Sequence, residues 1–256
     1  MKKILLGAVG LAVVSMTAPA TAADLAARPY TKAPAPMIAA IYDWSGFYIG
    51  LNGGGGWAHK CWDINNDLGA AVAPAFREGC HDATGGMAGG QFGYRWQSMN
   101  WVFGLEAQGD WADFKGSNPS QFPALAGATN RTKIDAFGLF TGQVGYAWNS
   151  VLWYVKGGAA VANDSYNGIV TTNGVVFDSA HQTRWGGTVG TGIEFGFAPS
   201  WSVAVEYDHI FMGNQNVTLT SVVTGLPSRT DNIRQDVDMA TVRVNWRWGG
   251  PVIAKY

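Results

Sequence analysis

The chain has 256 residues, a formal net charge of -1 and 14% charged residues, against roughly 25% in an average soluble domain. That length suits one sizeable domain with appendages, and the near-neutral balance supplies no basic field for nucleic acid. Glycine (35) and tryptophan (12) are both abundant, and beyond the N-terminus no run of about 18 apolar residues predicts a transmembrane helix.

Lys2 and Lys3 precede an apolar stretch from Ile4 to Met16, and Ala20-Thr21-Ala22 supplies small residues for cleavage. This is the layout of a secretory signal, residues 1–23, cut after Ala22 or Ala23. An uncleaved membrane anchor is the alternative, and the shortness of the apolar run argues against it. Residues 24–43 follow, with Pro29, Pro34 and Pro36 among alanines; prolines at that density predict an extended periplasmic lead-in, with a wall- or partner-binding tether as the alternative.

The remainder, 44–256, carries eight segments that alternate with period 2, the period of a strand rather than of a helix. They are Trp44 to Asn52, Met87 to Trp96, Trp101 to Trp111, Ile134 to Trp148, Val151 to Val161, Arg184 to Phe197, Trp201 to His209 and Met239 to Trp248. In the last, Ala240, Val242, Val244, Trp246 and Trp248 share one face; Met239, Thr241, Arg243, Asn245 and Arg247 share the other. The fourth has a blemish, since Phe137 and Leu139 fall on the parity of Asp135, Thr141 and Gln143.

In a soluble sandwich the apolar set is packed inside; in a membrane barrel it meets lipid. The connections decide. They are tight around Ser98, Asn149 and Pro199, and long at Ala58 to Gly86, Lys115 to Lys133, Ala162 to Thr183 and Ile210 to Gln235. Structureless connections of that length are uncommon in compact soluble domains, whereas short turns at one end and long loops at the other characterise outer-membrane barrels. The fold expected is therefore all-β: an eight-stranded antiparallel up-and-down transmembrane β-barrel with short periplasmic turns and long extracellular loops.

Trp96, Trp101, Trp148, Trp153, Phe197, Trp201 and Trp248 lie at the tight-turn ends on the apolar parity, where an aromatic belt would meet the membrane boundary. The polar parity carries Arg95, Lys156, Arg184, Arg243 and Arg247 with Glu106, Asp110, Asp135, Glu194, Glu206 and Asp208. An eight-stranded lumen is just wide enough for side chains to fill, so these charges are expected to form an ion-pair network. A filled plug is the expectation, with a narrow conductance as its rival.

Cys61 and Cys80 both fall in the first long connection. In an exported protein a disulfide is expected, closing a loop of about 20 residues and worth about 3 kcal/mol by the chain-entropy model. His59 and His81 flank the pair and raise a tetrahedral metal site as the alternative, although the spacing matches no common zinc signature. Asp63 to Asp67 begins like a calcium loop, but Leu68 and Pro74 stand where glycine and glutamate are needed. His209 adjoins Asp208, yet Phe211 stands where a barrel lipase of the lipid A deacylase type has serine. No catalytic group, metal site or cofactor site is expected.

The ending A-A-D-L of the signal region, Y-D-W-S-G-F-Y-I-G-L-N-G-G from Tyr42 to Gly54, the repeats G-Q-F-G-Y-R-W and G-Q-V-G-Y-A-W, and the closing W-G-G-P-V-I-A-K-Y resemble one family. It is the small outer-membrane β-barrel proteins of α-proteobacteria, labelled outer-membrane immunogenic or porin-family proteins and related in architecture to the OmpA transmembrane barrel. The resemblance implies a surface protein of the Gram-negative outer membrane that supports the envelope, contacts lipopolysaccharide and opens its loops to host or phage recognition. Some relatives are described as haem-binding, but His59, His81, His181 and His209 form no committed axial pair. No peptidoglycan-binding domain of the OmpA layout is expected, and the signal read by the barrel-assembly machinery would reside in Tyr256 or the preceding strand.

Overall fold

Period-2 alternation resolves into eight antiparallel strands in the computed structural model, which describes residues 42–248. The expected signal segment, nearly all of the proline-rich lead-in and the chain after Trp248 lie outside the described residues. The strands are β1 (Gly46–Asp67), β2 (Ala70–Ser98), β3 (Trp101–Pro119), β4 (Ala128–Trp148), β5 (Val151–Val170), β6 (Val176–Ala198), β7 (Trp201–Ser221) and β8 (Pro227–Trp248). Each pairs with its sequence neighbours, and β1 pairs with β8 to close the barrel. Closure runs from Phe47 opposite Trp248 to Asp67 opposite Arg229, leaving no free sheet edge at the membrane.

Residues 99–100, 149–150 and 199–200 turn the chain at one end. The left-handed φ angles of Met99 (54°) and Asn149 (58°) suit two-residue hairpins. At the other end the long extracellular segments are built of strand. Leu68–Gly69 is itself a two-residue turn, and the longest break holds a short 3-10 helix, Pro123–Leu125, between β3 and β4. The strands continue because backbone pairing needs no lipid: beyond the membrane both faces turn polar, so the apolar alternation fades while the ladder persists.

Apolar side chains clothe the outside. Ile193, Val205 and Val242 stand side by side across β6, β7 and β8, and all are exposed. Above the tight-turn girdle, Trp57, Trp111, Trp185 and Phe211 form a second exposed aromatic level. From Trp101 to Trp111 along β3, ten residues at about 3.3 Å each, tilted by about 40°, span roughly 25 Å, the height of an outer-membrane apolar band. Everything past Trp111 therefore projects outside the bilayer.

A bulge between Ile134 and Ala136 accounts for the blemish in β4. The extra residue reverses parity, so Phe137 and Leu139 turn into the lumen with Thr141 and Gln143, and Asp135 turns outward. Inward glycines make room for large neighbours. A Cβ on Gly93 would fall 2.4 Å from the Tyr48 hydroxyl, and one on Gly192 would fall 2.6 Å from the Tyr154 ring.

Candidate functional site: a layered lumen

The lumen is filled in layers. A buried cluster of Trp44, Val102, Ala147 and Leu152 closes the tight-turn end, and above it lies an ionic layer. Arg95 pairs with Glu194 at 2.8 Å, and Lys156 pairs with Glu206 at 2.6 Å, Asp208 at 3.3 Å and Glu106 at 3.5 Å. Arg243 bridges Glu106 and Glu206. Tyr48 donates to Glu106 (2.7 Å) and Tyr154 to Glu206 (2.6 Å), and the Arg95 guanidinium lies 4.4 Å from the Tyr48 ring centroid. Ser202 and Asn245 donate to Glu194. All these charges are buried, so each depends on its partners rather than on water.

Three expected members sit elsewhere. Asp135 is on the outer face, bound to Lys133 and Ser165, because of the β4 bulge. Arg247 lies at the periplasmic mouth, where it donates to the Pro199 carbonyl at 2.9 Å and covers the Tyr42 ring. Arg184 is buried at the outer edge of the apolar cluster and, among the described residues, pairs with no carboxylate; it donates instead to the carbonyls of Gly213 (2.9 Å) and Ile233 (3.0 Å). Asp110 faces inward and accepts from Gln108, with no cation paired to it among the described residues.

The middle layer is apolar. Met87, Phe114, Ile134, Phe137, Leu139, Ile210, Met212, Val237 and Met239 form one buried cluster with small alanines. Phe114 and Phe137 meet edge to face with centroids 5.5 Å apart. An ion crossing here would lose hydration with nothing to replace it.

The outermost layer is ionic again, its ion pairs set among a further apolar cluster of Trp62, Tyr166, Val217, Leu219 and Ile233. Arg229 donates to Glu78 (2.8 Å), Asp178 (3.0 Å) and Asn130 (2.9 Å), and Lys60 pairs with Asp164 at 2.7 Å. The sequence places these residues in the long connections, where composition alone does not reveal this layer. The signal lay in β8, where Arg229, Asp231, Ile233, Gln235, Val237 and Met239 continue the inward parity of Arg243 without a break. Burial draws Lys60 down to about 8 against the pull of Asp164.

Asp231 shares this layer, 3.6 Å from Arg229, and neither of its oxygens accepts a hydrogen bond. Burial pushes its carboxyl up to about 7; Arg229 opposes the shift, while Glu78 and Asp178 add to it. A raised acid favours the folded state below its ordinary value of 3.8, and that contribution is lost as pH rises through about 7. Asp231→Asn is therefore expected to raise the unfolding midpoint at pH 8 and to leave it unchanged near pH 4. Thermal scans of both proteins at the two pH values measure this, and an equal shift at both would contradict it.

Outside, Trp96, Trp101, Trp148, Trp153, Phe197, Trp201 and Trp248 are all exposed at the tight-turn end. Trp246 joins them, stacked on Trp248 at 5.2 Å. Residues 8–247 match the family described as outer membrane protein beta-barrel domain. The chain belongs to this family. It is similar to the 31 kDa outer-membrane immunogenic protein of Brucella melitensis, 29% identical over 209 residues that cover 77% of this chain and 84% of the relative. It is also similar to the 25 kDa outer-membrane immunogenic protein of Brucella abortus, 27% identical over 227 residues, covering 88% and 92%. Among solved structures, the outer membrane protein OprG from Pseudomonas aeruginosa overlaps 80% of this chain and 97% of its own, with 13% identity and a TM-score of 0.48.

This outer-membrane barrel joins Cys61 and Cys80 in a disulfide, between directly opposed residues of β1 and β2 rather than within a loop. His59 is 3.5 Å from Cys61 Sγ and 2.7 Å from Asp82. His81, the other flanking histidine, turns inward to Asn118 and Thr132. The four groups that could have completed a tetrahedral site thus split between the two faces of the sheet, and the sulfurs are bonded to each other. His209 pairs with Asp238 at 2.7 Å, and Phe211 meets its ring edge-on at 4.3 Å. Elsewhere on the outer wall, Ser165 Oγ lies 2.9 Å from both His181 Nδ1 and Asp135 Oδ2. There the serine stands between base and acid, the reverse of a charge-assisted nucleophile.

Proposed function

We propose that this barrel is a non-conducting, non-catalytic support of the outer membrane whose extracellular half serves as a surface antigen and adhesive face. The apolar layer between two ionic layers carries the reading: such a lumen holds the wall rigid and leaves no wetted path. The names of the Brucella relatives, outer-membrane immunogenic proteins, support the surface role. The projecting strands place turns 68–69, 120–127, 171–175 and 222–226 farthest from the bilayer, where host or phage surfaces would be met. Lipopolysaccharide is the proposed lateral partner and the barrel-assembly machinery the proposed route of insertion, after removal of a signal ending at residue 22 or 23.

A narrow porin is the second reading, favoured by the charged layer in the periplasmic half of the lumen. Planar bilayers separate the two. The purified barrel, shown to be folded by its slower migration after boiling than before, is expected to leave membrane current at baseline. Reproducible single-channel steps would establish the porin instead.

A further inference from the structure

Beyond the rim set by Trp111 and Trp185, the strand registers align two outward-facing rows across the wall. Lys115, Lys133, Ser165 and His181 stand opposite one another on β3 to β6, and Ser117, Arg131 and Asn167 form the next row outward. Together with Asp135 they line a surface groove of about 710 Å³. Two lysines directly opposite each other on adjacent strands repel. Asp113 relieves them in part, at 2.8 Å from Lys115 and 3.8 Å from Lys133, and Asp135 binds Lys133 directly. Asp113 and Asp135 both lie on the membrane side of these rows, and Asp135 reaches into the groove to bind Lys133 and Ser165. Arg131 is exposed and makes no ion pair or side-chain hydrogen bond among the described residues. Three cations against two carboxylates leave the groove positive.

The height of the groove selects its occupant. Lys115 is four residues past Trp111, about 13 Å along the strand and roughly 10 Å above the rim at a tilt of about 40°. Lysine and arginine stems can bring their charges back toward the boundary, into the headgroup zone flanking the apolar core. Directly below, exposed Trp111, Phe140 and Trp185 offer an apolar surface on the same strands. A ligand that meets both must carry an anion above and acyl chains below.

We propose that the groove holds a phosphate group of a phosphorylated glycolipid in the outer leaflet, with Arg131 and Lys133 as its principal cations, Lys115 assisting and Asn167 donating beside them. Arginine suits phosphate through paired N–H donors, and lysine as a compact charge. The inference deepens the lateral-partner part of the function proposed above and rests on it.

The test uses the folded full-length barrel in detergent, titrated with purified lipopolysaccharide, with the same lipopolysaccharide stripped of phosphate, and with inorganic phosphate. Arg131→Gln combined with Lys133→Gln is expected to weaken binding of the phosphorylated lipid about tenfold or more, close to 1.4 kcal/mol or above. Stripped lipid should bind weakly to both proteins, and millimolar inorganic phosphate should not compete. Arg234→Gln, on exposed β8 beside Asp236, should bind as the unaltered protein does. Heat-modifiable migration reports that each variant is folded. Unchanged lipid binding by a folded double variant overturns the site, as does equal affinity for stripped lipid or effective competition by free phosphate. Channel current from the unaltered barrel would overturn the sealed-lumen reading without touching this result.

Discussion

Arg243→Ala is expected to destabilise the barrel by about 3–5 kcal/mol, the usual cost of leaving buried charges without their partner. Arg243 is 1% exposed and bridges Glu106 and Glu206, which also share Lys156. Its loss leaves one ammonium to balance three nearby carboxylates, Glu106, Glu206 and Asp208, in a space closed to bulk water. Urea unfolding in lipid vesicles, followed by tryptophan emission, measures the effect. Replacing all three of Arg243, Glu106 and Glu206 by apolar residues of similar volume should cost far less, because no charge is left orphaned. The current across a bilayer should stay at baseline in Arg243→Ala, since the apolar layer around Phe137 and Met239 is untouched. A loss under 1 kcal/mol would mean that water already solvates this layer.

Val205→Arg is the second large effect. Val205 is 62% exposed, between Ile193 and Val242 in the cross-strand row. In a protein surrounded by water, arginine there would be harmless or helpful. At mid-height in a bilayer it is expected to cost about 2–4 kcal/mol. Thr218→Arg on the same strand, exposed beyond the rim, should change stability by no more than about 0.5 kcal/mol. The ratio of the two, measured in vesicles, locates the membrane along β7. Equal tolerance at both positions would remove lipid from the outer wall and undo the assignment of faces.

The half of the barrel within the membrane was legible in sequence because lipid and a filled lumen impose opposite polarities on successive residues. Met239 to Trp248 shows this plainly, and so do the three tight turns. The extracellular half was not legible for the converse reason. Past Trp111 or Ala240 both faces carry polar groups, as in Arg229 to Asp238, so strand and loop compositions converge. The same blindness hid Glu78, Lys60 and Asp178. Phe137 and Leu139 were visible as a break in pattern, but only the bulge beside Asp135 shows that they belong inside and Asp135 outside. Arg184 was assigned to the ion pairs by parity alone, and parity says nothing about height in the barrel.

Taken alone, the order of residues determined that this chain is built of alternating strands, how many there are, and which side chains share a face. It could not determine which charges meet, because Arg243 and Glu106 are 137 positions apart and only closure of β1 on β8 brings their strands to opposite sides of one lumen. Nor could it reveal that an apolar layer separates two ionic ones. Layers are set by the stagger between neighbouring strands, which arises from hydrogen-bond register around the whole ring and is written in no single segment.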